Sequence, residues 1–200
     1  MQDVTAFILA GGKSSRMGEE KAFMQIQGKG LIDRIISAAH NVSEDTFVVG
    51  PKDKFGAYGR IVNDVYPDSG PLAGIHAALE RSRTELSLVL PVDTPFVTTE
   101  FLKFLTDTAR ESKAIVTVPR VGGRLQPLCA VYRKPFAAIA EQALKEKRLK
   151  IDPLFPPEST RVISEEEIRA AGFDPAILDN LNTKEEYERA AESHAKSAKR

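Results

Sequence analysis

The chain has one cysteine, Cys129, in 200 residues, which excludes an internal disulfide and any zinc site built from several cysteines. Net charge is also missing. Lys and Arg total 28 and Asp and Glu total 28, so no global field draws the chain to nucleic acid or to an anionic membrane, and any anion binding must be local. Long apolar runs are absent, none approaching the ~18 residues of a membrane span. Met1-Gln2-Asp3 also lacks the basic segment and following apolar segment of a secretory leader. These absences predict a soluble, cytoplasmic protein. The 42% of apolar residues is ample for a core. With no internal repeat and no low-complexity linker, one domain is expected over residues 1–192, followed by a basic tail at 193–200.

Hydrophobic periodicity gives the fold class. Short apolar runs at Val4–Leu9, Thr46–Val49, Ile61–Val62, Leu86–Pro91 and Ala114–Val118 suit buried strands. Helical spacing separates them: Leu31, Ile32, Ile35, Ile36 and Ala39; Leu72, Ile75 and Leu79; Phe101, Leu102, Leu105 and Ala109. Thr98 or Thr99 can cap the third helix. The alternation predicts an α/β chain with a mostly parallel central sheet covered on both faces, a Rossmann-like three-layer α/β/α domain. Val116–Tyr132, turning at Val121-Gly122-Gly123-Arg124, is expected to form a small β-hairpin lobe. A helix is expected from Phe136 to Leu149, a short one over Glu165–Ala171, and a last one from Lys184. In such sheets ligands bind outside the carboxyl ends of the strands, so the segments after Leu9, Val49, Val62 and Leu90 should share one functional edge.

The segment after the first strand is rich in phosphate-binding chemistry. Leu9-Ala10-Gly11-Gly12-Lys13-Ser14-Ser15-Arg16-Met17-Gly18-Glu19-Glu20-Lys21 has glycines, small hydroxyls and spaced cations, and little to bury. Gly11 and Gly12 place no Cβ in the way of an anion approaching the backbone, and Arg16 and Lys21 can add charge around it. A plain turn needs less than this. The spacing matches neither a P-loop nor the dinucleotide fingerprint: Gly18 is followed by Glu19, and the adjacent pair Gly11-Gly12 is not G-x-G-x-x-G.

Three later stretches add to it. Asp93, in Pro91-Val92-Asp93-Thr94-Pro95, follows the most apolar strand and offers a hard oxygen ligand of the kind Mg²⁺ uses, although a turn before Pro95 also suits an aspartate. In Asp64-Val65-Tyr66-Pro67-Asp68-Ser69-Gly70-Pro71-Leu72-Ala73-Gly74-Ile75, Gly70-Pro71 sets up a helix start, and Gly74 within the first turns implies a close approach by backbone or ligand; Asp68 suits a solvated turn. Asn180 and Asn182 precede the expected last helix, where Asn182 serves equally as a helix cap or as a ligand-orienting amide. Cys129 suits a small buried hydrophobe, since His40, His76 and His194 have no spacing that makes a nucleophile–base pair.

The first loop resembles the L-x-G-G-x-S-x-R-M-G-x-x-K signature of nucleotidyltransferases that activate sugars and cofactors. Its details, with the later motifs, are most similar to the molybdenum cofactor guanylyltransferases. Gly70–Ile75 matches that family's Gly-Pro-Leu-Ala-Gly-Ile, Gly123–Tyr132 its G-R-x-Q-P-L-x-A-x-Y, and Asp93 the aspartate of its Pro-Cys-Asp-x-Pro, with Val92 in place of Cys. Asp179–Thr183 is similar to its asparagine motif, with Lys184 where the family often has Pro. The resemblance runs from Val4 to about Glu188. It implies a nucleotide-diphospho-sugar transferase-like fold and Mg²⁺-dependent transfer of GMP from GTP to the phosphate of molybdopterin or Mo-molybdopterin, with pyrophosphate released. It further implies catalytic roles for Arg16, Lys21 and Asp93. Nucleotide contacts fall on Leu9, Ala10, Gly11, Gly12, Lys21, Asp64 and Asp93, metal ligation on Asp93, and support or acceptor contacts on Gly74, Gln126, Asn180 and Asn182. Cofactor-delivery proteins and molybdoenzymes are the implied partners, with no nucleic acid and no membrane. A cytidylyltransferase, another NTP:phosphate transferase and a non-catalytic nucleotide-binding module stay open as alternatives.

Overall fold

Val4–Leu9 is buried at every position, and its alternate side chains enter two different cores. Val4, Ala6 and Ile8 pack on one side and Phe7 and Leu9 on the other, as the two-residue period of a strand covered on both faces requires. The computed structural model describes residues 3–11, 21–26, 28–181 and 186, with Lys21 defined by its backbone alone.

In chain order the elements are β1 (Val4–Leu9), a 3₁₀ turn at Lys21–Phe23, β2 (Gln25–Ile26), β3 (Lys29–Gly30), α1 (Leu31–His40), β4 (Thr46–Val49), α2 (Lys52–Phe55), β5 (Arg60–Val62) and α3 (Pro71–Arg81). There follow β6 (Leu86–Pro91), α4 (Thr99–Glu111), β7 (Val116–Val121), β8 (Arg124–Leu125), β9 (Ala130–Tyr132), α5 (Phe136–Lys145), β10 (Thr160–Ile163), α6 (Glu165–Ala170) and a 3₁₀ turn at Pro175–Leu178. The main sheet has the order β10-β7-β9-β6-β1-β4-β5, with β8 paired to β7, while β2 and β3 form a separate two-stranded ribbon. Strands β5, β4, β1 and β6 are mutually parallel, β10 is parallel to β7, and β9 runs antiparallel between β6 and β7.

Helices α1 and α4 cover one face through Ile32, Ile35, Ala39, Leu102, Leu105 and Ala109. Helices α3 and α5 cover the other through Leu72, Ile75, Leu79, Phe136, Ala140 and Ala143. Thr98 caps α4 by accepting from the Phe101 N–H, and Pro71 opens α3 after Gly70, whose φ of +67° suits a residue without a side chain.

Two element bounds change on contact with the structure, the hairpin gains detail, and one strand is new. The fifth strand is Val116–Val121 rather than Ala114–Val118. The hairpin expected over Val116–Tyr132 forms, with β7 antiparallel to β9 and Val116 opposite Tyr132; β8 folds back on β7 at its tip, closed by Gly122-Gly123 with both φ positive, and both arms belong to the main sheet, where β9 also pairs with β6. The helix from Phe136 stops at Lys145, not Leu149: Lys147 is left-handed at φ 59°, and the Lys147 and Arg148 N–H groups turn back to Leu144 and Ala143. Ile163 is the end of a strand, β10, that the sequence reading left unassigned. The expected last helix from Lys184 lies outside the described residues, except for Glu186.

Candidate functional site

The connection from β1 to β4 runs through α1 over one face, and the connection from β5 to β6 returns through α3 over the other. Strand order therefore reverses between β1 and β6, and the crevice outside their carboxyl ends is where an open α/β sheet holds its ligand. Leu9 and Pro91 are register partners at that point, and the Val92 N–H donates to the Leu9 carbonyl at 3.3 Å. The segments that follow these two strands thus leave the sheet side by side.

Asp93 stands two residues beyond β6, half-buried. A closely tied turn carries it. The Thr94 hydroxyl donates to the Pro91 carbonyl at 3.2 Å, and the Val97 N–H donates to the Thr94 carbonyl at 3.4 Å. The Asp93 carbonyl itself accepts from the Leu181 N–H at 3.0 Å. That bond brings exposed Asn180 to the same crevice from 87 residues further along the chain, a juxtaposition no local pattern reveals. Asn182 lies outside the described residues.

The first loop begins in an unexpected way. The Ala10 and Gly11 N–H groups both donate to the Val49 carbonyl, at 3.0 and 3.1 Å, and the Gly50 N–H donates to the Val62 carbonyl at 3.0 Å. These bonds lace the carboxyl ends of β1, β4 and β5 together. They also commit the amides of Ala10 and Gly11, which the sequence reading offers to an anion. Gly12 and Arg16 lie outside the described residues. Lys21 stands in the 3₁₀ turn ahead of α1.

The Leu9 side chain is 9% exposed and faces α3 rather than the crevice. The close approach expected at Gly74 is made by this side chain: a Cβ at Gly74 would lie 3.1 Å from Leu9 Cδ2. Gly74 is buried, and its smallness lets α3 lie down on β1.

Asp64 lies just past β5, on the same edge, two strands from β1. With strands spaced by ~4.8 Å, it is set off laterally by about 10 Å, comparable to the distance from a nucleotide's α-phosphate to its base. The residue is exposed, yet desolvation of its carboxyl raises its pKa above the ordinary value. The nearby Tyr66 backbone N–H opposes that rise, and the Asp68 charge adds to it. Asp68 is exposed with φ 61°.

Gln126 reaches the edge from the antiparallel side. β9 runs opposite to β6, so the turn before it, 126–129, lies beside the carboxyl end of β6. The Gln126 N–H donates to Pro119 at 2.9 Å and its carbonyl accepts from Cys129 at 3.0 Å, while the buried Tyr132 hydroxyl donates to Pro127 at 2.6 Å and pins the turn. Cys129 is buried, and burial pushes its thiol up to about 12, which keeps it protonated and unreactive. It is a packing residue.

Asp93, Asn180, Gln126, Asp64 and the start of the first loop therefore occupy one edge of the sheet. Among the described residues no group of three His, Cys, Asp or Glu side chains could hold a metal by itself. A single carboxylate suits Mg²⁺, which completes its shell with phosphate oxygens and water, and does not suit zinc. Sequence reasoning missed the laced carbonyls of Val49 and Val62 and the Leu181–Asp93 bond. Gly50, a glycine directly after β4, was the available signal for the lacing.

The family model described as "MobA-like NTP transferase domain" matches residues 6–152. A molybdenum cofactor guanylyltransferase of Desulfosudis oleivorans is 35% identical over 193 residues, covering 95% of this chain and 95% of that protein. A probable molybdenum cofactor guanylyltransferase of Pelotomaculum thermopropionicum is 34% identical, covering 92% of this chain and 89% of its own length. Among solved structures, molybdopterin-guanine dinucleotide biosynthesis protein A from Archaeoglobus fulgidus superposes with a TM-score of 0.82 at 26% identity, over 96% of this chain and 99% of that one.

Proposed function

Because this chain belongs to the MobA-like NTP transferase domain family, a nucleotidyltransferase family, we propose that it transfers GMP from GTP to the terminal phosphate of molybdopterin. The observation that carries the proposal is the position of Asp93, held beside the first loop at the point where strand order reverses. In the reaction, a phosphate oxygen of the acceptor attacks the α-phosphorus, the bond to the β-phosphate oxygen breaks, and pyrophosphate leaves with its electron pair. Such chemistry asks for positioning and for neutralisation of charge rather than for a nucleophile on the enzyme. The described site has no such nucleophile, since its cysteine is buried and protonated.

Each residue has a part in this scheme. With the Ala10 and Gly11 amides committed to Val49, the grip on the triphosphate falls to the loop beyond them, Gly12 with Arg16 and Lys21, while Leu9–Gly11 fix where that loop starts. Asp93 is the carboxylate that would hold Mg²⁺, which would supply charge neutralisation at the transferring phosphate. Asp64 accepts from the guanine N1 and exocyclic amino donors. Gln126 faces the acceptor, and Asn180 with Asn182 orients groups around Asp93. The whole of residues 1–192 acts as one domain. Among the described residues no helix is long and apolar enough to cross a membrane, which supports the further proposal that the reaction runs in the cytoplasm.

The test is pyrophosphate release from GTP and Mg²⁺ with molybdopterin as acceptor. Asp93→Asn and Lys21→Ala should each lower kcat/KM by at least ~10²-fold with an unchanged thermal midpoint. Full activity in either variant contradicts the assignment.

A further inference from the structure

The loop that carries Asp64 has one anchor. From Asn63 to Gly70 every residue is exposed except Tyr66 and Ser69, and the apolar side chain of Val65 is 70% exposed. Tyr66 is half-buried against the core between α3 and α5, and three interactions converge on it. It stands two residues after Asp64 in the same loop. Its carbonyl accepts from the Ser69 N–H at 3.3 Å, closing the turn that leads to Gly70 and α3. Its ring stands edge-on to the ring of His76 on α3, centroids 5.3 Å apart at 80°. Its hydroxyl donates to Glu141 Oε1 on α5 at 3.4 Å, an oxygen that also receives Lys145 Nζ at 2.8 Å.

His76 is 6% exposed, and its Nδ1 is buried without a hydrogen-bond partner among the described residues. A buried imidazole with an unused nitrogen is an expensive way to fill a core position that any aliphatic side chain could fill. Its ring is the surface against which Tyr66 packs.

We propose that Tyr66 is the positioning residue of Asp64: seated on His76 and tied to Glu141, it holds the carboxylate at a fixed distance from the switch-point crevice and so sets base discrimination. This rests on the proposed role of Asp64 as the acceptor for guanine's donors. The geometry is economical. Asp64 is two residues from Tyr66, whose ring and hydroxyl fix the loop to two helices of the rigid scaffold. An exposed eight-residue loop without that anchor would sample many positions, and a hydrogen-bonded base contact tolerates little displacement.

Nucleotide binding to the purified full-length protein tests this, measured by calorimetry with GTP and with ITP, which lacks the exocyclic amino group, alongside steady-state kinetics. Tyr66→Ala is expected to weaken GTP binding by about tenfold or more, to narrow the GTP-over-ITP ratio toward unity, and to leave kcat within about twofold. Tyr66→Phe, which keeps the ring on His76 and gives up only the 3.4 Å hydroxyl contact to Glu141, is expected to restore the wild-type ratio to within about twofold. Tyr66→Leu is measured in parallel, because it keeps most of the buried volume and decides the question should the alanine variant fail to fold. A role in packing alone would lower the thermal midpoint and leave the GTP-over-ITP ratio unchanged in folded protein; that result overturns the inference. Asp64→Asn separates the two claims. If it leaves the ratio unchanged, the base-reading role of Asp64 fails; if it collapses the ratio while the Tyr66 variants do not, only the positioning role fails.

Discussion

Gly74 shows what a single residue discloses and what it hides. A glycine in the first turns of an amphipathic helix costs ~1 kcal/mol relative to alanine, so its presence signals a close approach. The partner in that approach is invisible to periodicity, because Leu9 lies 65 residues away and meets Gly74 only once α3 has folded back over β1. Gly74→Val forces two methyl groups into the space held by Leu9 and should destabilise the protein by about 1–3 kcal/mol, read as a shift of the urea midpoint. Gly74→Ala gains helix propensity against the same crowding and should stay within ~1 kcal/mol. The amides of Ala10 and Gly11 teach the converse. Their residue types leave the backbone open to a close approach, and these two amides meet the Val49 carbonyl, a partner set by register across the parallel sheet.

At the scale of elements, legibility follows burial. Strands β1, β4 and β6 match the apolar runs read from the sequence, because each is wholly buried. The end of α5 could not be read this way. Lys145-Glu146-Lys147-Arg148 are all sound helix formers, yet Lys147 takes the left-handed conformation usually left to glycine. Lys147→Gly relieves that conformation without touching the two returning hydrogen bonds and should stabilise the protein by about 1 kcal/mol in chemical denaturation.

Strand β10 was missed because its residues are mostly half-exposed and its partner, β7, precedes it by some 40 residues. The joint from β10 to α6 is held by a capping box. Ser164 accepts from the Glu167 N–H at 3.2 Å, the Ser164 N–H donates to Glu167 at 2.9 Å, and Arg161 pairs with the same carboxylate. Arg161 and the Ser164 N–H pull the Glu167 pKa from 4.5 down to about 2. A carboxylate depressed in the folded state stabilises above its unfolded pKa, and that stabilisation fades as pH falls through the folded value. The pair is well exposed, so the effect is about 1 kcal/mol. Thermal midpoints of wild type and Glu167→Gln should differ near neutral pH and converge as pH drops from about 5 to about 2.

Taken whole, the molecule sorts its sequence signals onto one edge of one sheet. Asp93, Asp64, Gln126 and Asn180 are far apart in the chain, and their common edge follows from strand direction: the first two follow parallel strands, Gln126 precedes the antiparallel strand β9, and Asn180 is drawn in through Leu181. The parallel sheet and its functional edge were legible from alternating strand and helix patterns. The antiparallel pairing of β9 with β6 was not, because the hairpin of β7 and β9 does not reveal which strand stands on the far side of β9. The choice of guanine belongs to this scale, since it depends on where the Asp64 loop stands relative to the loop after β1. The most direct measurement follows pyrophosphate and dinucleotide formation from each of the four NTPs with Mg²⁺ and molybdopterin. GTP should turn over with kcat/KM at least ~10²-fold above CTP, ATP and UTP, yielding the guanine dinucleotide. Equal or faster turnover of CTP, or GTP binding with no release of pyrophosphate, would contradict it.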